Sequence, residues 1–383
     1  MSLLSFRFPT DIRFGPRSID RVPELLKEHG VKRPLVVTDQ HLKSLPFFSV
    51  FKESLLSHDL SIEVYSEASG NPIKQHVIQG VAAYKQVGAD AVVSIGGGCA
   101  LDVGKAIALM VDHPGDLFDY EDGKDEAREI KDNIPFTISI PTTAGTGSEV
   151  GGSSVISDNN THKKVIIWSS YLVPNIVVAD PLLLTGLPAA VTAATGIDAL
   201  THNIEAYLAK NYHPMCEGIA IEGIRMVFNH LRTSIMEPNN VEARSGMLMA
   251  SMMGAVAFQK GLGVTHSCAH ALSTCFDIHH GLANAIMLPA CLRFNSDSVP
   301  EKLAYLETVL GIKGKGETNG ILFIEKVENL IGAVGIKNNL NELGASLSEQ
   351  LIETAYKDPC HYNNPKTCTT KDFQELFETV FAN

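Results

Sequence analysis

The stretch Asp90-Ala91-Val92-Val93-Ser94-Ile95-Gly96-Gly97-Gly98 is a short apolar run, rich in β-branched residues, that stops on three glycines. A segment with helical spacing, Ala100 to Met110, follows it directly. An unbroken apolar run of this length suits a strand buried on both faces, and such strands belong to parallel sheets covered by helices. Four further runs repeat the pattern. Pro34-Leu35-Val36-Val37-Thr38-Asp39 and Ser61-Ile62-Glu63-Val64-Tyr65 precede it; Pro135-Phe136-Thr137-Ile138-Ser139-Ile140-Pro141 and Asn175-Ile176-Val177-Val178-Ala179-Asp180 follow. With a second 3.6-period segment over Pro72 to Val87, the alternation predicts an α/β region built on a parallel sheet. Lys163 to Trp168 fits no βα unit and is open to being an antiparallel addition.

After Pro188 the texture changes. Ala, Leu, Met, Glu and His dominate, and helical periodicity runs through Ala189–Ala209, Cys216–Leu231, Val241–Phe258 and beyond Pro300. A chain of 383 residues exceeds what one core serves. The expected boundary lies at residues 181–188, where Pro181 and Pro188 bracket a Leu-rich turn. It divides the chain into an α/β domain over 1–184 and an all-α domain over 185–383.

Composition narrows the partners. With 45% hydrophobic and 19% charged residues the chain is globular, and a net charge of -12 speaks against a nucleic-acid partner. Seven scattered cysteines without a CxxC pair suit a reduced, cytoplasmic protein. The segment Met1 to Phe14 carries Arg7, Asp11 and Arg13, so it lacks a signal-peptide core, and no apolar run is long enough for a membrane span. The Asn-x-Thr sequon at Asn159 reads as chance.

In an open parallel sheet, ligands bind beyond the carboxyl ends of the strands. Asp39 ends the first run, Gly96-Gly97-Gly98 the third, and Thr142-Thr143 the fourth, ahead of Ala144-Gly145-Thr146-Gly147-Ser148-Glu149. Glycines bring backbone N–H groups close to a phosphate, a helix N-terminus adds partial positive charge, and threonine hydroxyls add donors. Asp39 suits a ribose 2′-OH and repels a 2′-phosphate, which favours NAD over NADP. There is no GxGxxG after the first run and no P-loop.

In the helical half, Asp198 and His202 lie four residues apart and so share a helix face, with Thr195 in place to cap the segment. His266 and His270 repeat the spacing, and His279-His280 follow. Ala199, Leu200, Ala269, Ala271 and Leu272 surround them, which implies burial. Taken singly, each is a hydrogen-bonded core residue; taken together, a carboxylate and several buried imidazoles are satisfied by one divalent cation, with Fe(II) and Zn(II) both suitable. No HExxH is present. His29, His41, His58, His76, His113, His162, His213, His230 and His361 read as surface or structural.

These stretches, with Ala194-Thr195-Gly196-Ile197-Asp198-Ala199-Leu200-Thr201-His202-Asn203-Ile204-Glu205-Ala206-Tyr207, His266-Ser267-Cys268-Ala269-His270-Ala271-Leu272, His280-Gly281-Leu282-Ala283-Asn284 and Asn364-Pro365, resemble the iron-containing (group III) alcohol dehydrogenases over nearly the whole chain. The resemblance implies an α/β dinucleotide-binding domain, a helical catalytic domain and an active site in the cleft between them. By position it implies Asp198, His202, His266 and His280 as metal ligands, Fe(II) before Zn(II), with His270 beside the metal but not ligating it, near nicotinamide and substrate; as the catalytic candidate His270 suits proton relay by its imidazole chemistry, or simply wedging the substrate. It also implies Asp39, Gly97, Gly98, Thr142, Thr143 and Lys164 at NAD, Phe258 in the substrate pocket, and a homodimer or larger homo-oligomer. Two departures stand out: Cys99 replaces a serine after the glycines, and Gly151-Gly152 replace bulkier residues, which suggests a roomier pocket mouth.

The implied function is NAD-dependent alcohol dehydrogenation: the metal lowers the pKa of a small primary alcohol, and hydride passes to nicotinamide. A dehydroquinate synthase-like lyase, which cycles hydride internally with no net redox change, and glycerol dehydrogenase-like polyol oxidation are the alternatives.

Overall fold

The computed structural model describes residues 6–8, 10–158, 164–314, 318–338 and 340–382; the Asn159 sequon and His162 lie outside them. By compactness the chain forms two units. One comprises Arg7–Thr143 and Gly147–Leu184; the other comprises the residues from Thr185 onward together with Ala144–Thr146.

The first unit holds strands β1 (Asp11–Phe14), β2 (Pro34–Val37), β3 (Glu63–Tyr65), β4 (Ala91–Gly96), β5 (Phe136–Pro141), β6 (Ser153–Ser157), β7 (Lys164–Trp168) and β8 (Ile176–Ala179). Its helices are α1 (Val22–Glu28), α2 (Gln40–Lys43), α3 (Pro46–Ser57), α4 (Lys74–Val87) and α5 (Gly98–Met110). Six strands form one sheet in the order β1-β8-β5-β4-β2-β3, and all its pairs are parallel. Strand residues feed two cores. Leu35, Val37 and Val92 pack with Val77, Val103 and Ile107 of α4 and α5; Val36, Val93 and Ile95 pack with Leu25, Phe48 and Phe51 of α1 and α3. Alternation along buried strands thus covers both faces with helices. From β2 the chain steps outward to β3, then returns to β4 on the other side of β2. This reversal sets the carboxyl ends of β2 and β4 side by side, where ligands bind in such sheets.

Two features differ from the sequence reading. Lys164–Trp168 pairs antiparallel with Ser153–Ser157 as a separate two-stranded sheet, not as an addition to the main one. An unanticipated strand, β1, pairs with β8 at the sheet edge; its exposed, charged sequence gave no apolar signal.

The second unit contains helices α6 (Ala189–Leu208), α7 (Pro214–Met236), α8 (Val241–Ala257), α9 (Val264–Phe276), α10 (His280–Asn295), α11 (Pro300–Val309), α12 (Ile321–Ala333), α13 (Glu349–Lys357) and α14 (Thr370–Phe381). Local chemistry starts several of them. His213 accepts from Cys216 N ahead of Pro214, Asn240 accepts from Ala243 N, and Thr369 with Asp372 forms a capping box. In α6, Thr192 to Leu208 are all buried, the mark of a helix packed on every side. Thr195 does not cap it. The helix begins at Ala189 after Pro188, and the Thr195 hydroxyl instead donates to the Val191 carbonyl one turn back. No single helix among the described residues is long and apolar enough to cross a membrane.

Candidate active site

In the first unit, the strand ends gather the anticipated dinucleotide residues. Gly96 has φ +157°, and a Cβ there would lie 2.6 Å from Ala100 Cβ and 3.9 Å from Asp39 Oδ2. Gly97 precedes α5 with no side-chain cap, so the first N–H groups of Gly98 and its successors face outward for an anion. A Cβ on Gly97 would touch Thr143 at 3.3 Å, and Thr142 N donates to Gly96 O at 2.9 Å. Asp39 caps α2 by accepting from Leu42 N at 2.8 Å. Lys164 opens β7, half-buried, opposite Ser157. Cys99, whose thiol is pushed up to about 12 by burial and by Asp102 and Asp39, is a neutral neighbour of this loop.

The loop after β5 is fastened by a buried network that the sequence did not announce. Asp102 accepts from Ser148 Oγ at 2.5 Å and from Val155 N at 3.1 Å. Lys105 pairs with Asp102 at 3.2 Å and donates to Ser148 Oγ at 2.7 Å and to the Ser153 carbonyl. Gly152 belongs to the same turn. A Cβ there would sit 2.3 Å from the Ser169 carbonyl oxygen, so close backbone approach calls for glycine at this position.

In the second unit, α6, α9 and α10 bring Asp198, His202, His266 and His280 together, with one ligand atom of each within 4.8 Å of the others. Asp198 Oδ1 lies 4.0 Å from His202 Nδ1 and 3.5 Å from His280 Nε2. Asn284, one turn beyond His280 on α10, places its amide nitrogen 2.7 Å from Asp198 Oδ1, 3.1 Å from His280 Nε2 and 3.4 Å from His266 Nε2. One donor nitrogen within reach of three acceptors shows that their lone pairs converge on a point. His202 Nδ1 is buried with no hydrogen-bond partner, and burial lowers this imidazole to about 4, a neutral ring. The donor set therefore fits a divalent cation.

Glu205 orders this cluster from behind. It accepts from Gly263 N (2.9 Å), Thr265 N (2.7 Å) and His266 N (3.3 Å), closing the start of α9, and from His266 Nδ1 at 2.7 Å. Burial alone would raise its carboxyl, yet these donors hold it below the ordinary range; burial alone would lower His266, but Glu205 together with the Asp198 and Asp358 carboxylates raises it. With its Nδ1 proton engaged, His266 presents Nε2 as the lone-pair atom.

His270, one turn past His266, stacks on His280 with ring centroids 5.1 Å apart and donates from Nδ1 to Asp358 Oδ2 at 2.7 Å. Phe258 lies against His202, ring centroids 5.4 Å apart. His279 is exposed, and His113, His213 and His361 are buried in local structural roles: His113 Nε2 accepts from Lys131 N, His213 caps α7, and His361 N donates to Ser267. Glu205, Asn284 and Asp358 went unassigned from the sequence. Glu205 and Asn284 had a usable signal, since 198, 202 and 205 share one helix face and 280 and 284 another. Asp358 had none.

Comparison with known proteins places this arrangement. The description "Iron-containing alcohol dehydrogenase" matches residues 9–181, and "Fe-containing alcohol dehydrogenase family, C-terminal" matches residues 192–381. The chain belongs to the iron-containing alcohol dehydrogenase family. It is 34% identical to the 1,3-propanediol dehydrogenase of Citrobacter freundii, over 96% of each chain, and 30% identical to the NAD-dependent methanol dehydrogenase of Bacillus methanolicus, over 99% of this chain and 100% of that one. A crystal structure of 1,3-propanediol oxidoreductase superposes with a TM-score of 0.93 at 32% identity, covering 99% of this chain and 100% of the other. This iron-containing alcohol dehydrogenase is accordingly a metal-dependent, NAD-linked oxidoreductase acting on a small alcohol or aldehyde.

Proposed function

We propose that the enzyme interconverts a small primary alcohol and its aldehyde, with Asp198, His202, His266 and His280 holding the divalent cation, Fe(II) before Zn(II). The convergence of one carboxylate and three imidazoles within 4.8 Å, with His270 against them, is the observation that supports this reading. When bound, the cation supplies Lewis acidity toward the alcohol oxygen, and NAD supplies or accepts the hydride. The residues do the remainder. Glu205 keeps the Nε2 of His266 free to ligate. Phe258 gives the cluster an apolar wall that keeps water out and favours a short carbon chain. His270 exchanges a proton with the substrate oxygen. Asp39, Gly97, Gly98, Thr142, Thr143 and Lys164 bind the dinucleotide, Asp39 selecting NAD through the ribose 2′-OH. A homodimer or larger assembly in the cytoplasm completes the proposal, and the seven free thiols support the reducing compartment.

The test is NADH oxidation by purified enzyme, loaded with iron or zinc, across short aldehydes, with glycerol and NAD tried in reverse. Rapid turnover of an unbranched short aldehyde is expected. Metal-independent turnover would overturn the ligand assignment, and no net change in NADH with any substrate would favour the lyase chemistry.

A further inference from the structure

We propose that Asp358 is the positioning residue for His270: it holds the imidazole with its proton on Nδ1 and leaves Nε2 as the acceptor for substrate. The inference rests on the proton-exchange role proposed above for His270.

Asp358 caps the C-terminal end of α13 and begins the turn Pro359–Asn363, 88 residues from His270 in sequence. Its two oxygens have separate duties. Oδ2 faces His270 Nδ1 at 2.7 Å. Oδ1 accepts from Ser267 Oγ at 2.8 Å and from Cys360 N at 2.9 Å. Both donors are committed in direction. A backbone N–H only donates. Ser267 Oγ accepts from His361 N at 3.0 Å, and because a carboxylate oxygen only accepts, the Ser267 proton is the one shared with Asp358. The carboxylate is therefore clamped in rotation, and the oxygen left over defines which nitrogen of His270 carries hydrogen. The Asp358 side chain is 13% exposed, and its carboxyl is held well below the usual range: loss of solvent would raise it, and His270, Cys360 N and Ser267 more than reverse that. A permanent acceptor at Nδ1 sets the ring's orientation as well as its tautomer. The stacking of His270 on His280, ring centroids 5.1 Å apart, sets the oriented ring against the ligand cluster.

The clamp makes one substitution sharply informative. In Asp358→Asn, Cys360 N, which can only donate, keeps the oxygen at the Oδ1 position, so the new NH2 faces His270. An amide donates there, Nδ1 must accept, and the imidazole proton moves to Nε2. Shape is preserved while the tautomer reverses.

The experiment uses zinc-loaded holoenzyme with 15N-labelled histidine, reading the two ring nitrogens of the neutral His270 by NMR, beside steady-state kinetics and metal content. Wild type is expected as the Nδ1–H tautomer. D358N is expected as the Nε2–H tautomer with full zinc content, kcat lower by roughly 10²–10⁴-fold and KM little changed. An Nε2–H wild-type ring, or a D358N ring that keeps Nδ1–H, overturns the proposal; the wild-type measurement decides even if the variant does not fold. A reversed tautomer with undiminished kcat upholds Asp358 as the positioning residue and refutes the proton role of His270.

Discussion

Glu205 offers the most searching test of how the metal cluster is built. Its side chain is 5% exposed, and four donors end on its two oxygens: three backbone N–H groups at the start of α9 and the Nδ1 of His266. Truncation to alanine strands all four. Each unsatisfied buried donor costs about 1–3 kcal/mol, and water entering the space offsets part of this. Breaking a buried charge-paired network of this kind costs about 3–5 kcal/mol, against a total stability of about 5–15 kcal/mol. Glu205→Ala is therefore expected to be severely destabilised even without metal. Glu205→Gln keeps the shape but turns one acceptor into a donor. If the NH2 faces His266, Nε2 becomes protonated and ceases to ligate; if it faces Thr265, the start of α9 loses a bond and His266 a charged partner. Losing such a supporting partner weakens metal affinity by roughly 10–100-fold, or about 1.4–2.7 kcal/mol. Chelator competition with Zn(II) measures the affinity, and urea unfolding of the metal-free protein measures the stability. A Glu205→Gln enzyme with wild-type zinc affinity and wild-type urea midpoint would refute this account of the cluster.

His202→Ala removes a buried ligand whose Nδ1 has no other partner, so metal content and turnover should fall together; retained stoichiometric metal by elemental analysis would contradict it. Glu149, 1% exposed, is pushed up from 4.5 to about 7 by burial. The folded state then holds a proton that the unfolded state has lost between these values, so stability falls as pH rises from 4.5 to 7 and levels off above, by about 3 kcal/mol in all. Glu149→Gln should flatten that slope in urea midpoints, and an unchanged slope would remove Glu149 as its source. In Gly281→Ala the new Cβ would meet the Ala194 carbonyl oxygen at 2.5 Å, which backbone cannot easily yield. A loss of about 1–3 kcal/mol is expected from overpacking, visible as a lower Tm, and an unaltered Tm would count against it. Asp39→Ala should raise kcat/KM with NADPH relative to NADH, and an unmoved ratio would take Asp39 out of cofactor selection.

The amino-acid order alone determined what depends on the backbone's own periods. The buried strands with helices between them, the i, i+4 pairs Asp198–His202 and His266–His270, and Asp39 and Gly96-Gly97 at strand ends follow from spacing within one element, because helix and strand geometry put such residues on known faces. Tertiary structure decided what spacing cannot reach. Packing of three helices drew Asp198, His266 and His280 to one point; it set Glu205 across from α9 and Asp358 across from His270, 88 residues away. It also paired the charged edge strand β1 with β8. Hydrogen-bond partners distant along the chain are chosen by how whole elements pack, and no local pattern records that choice.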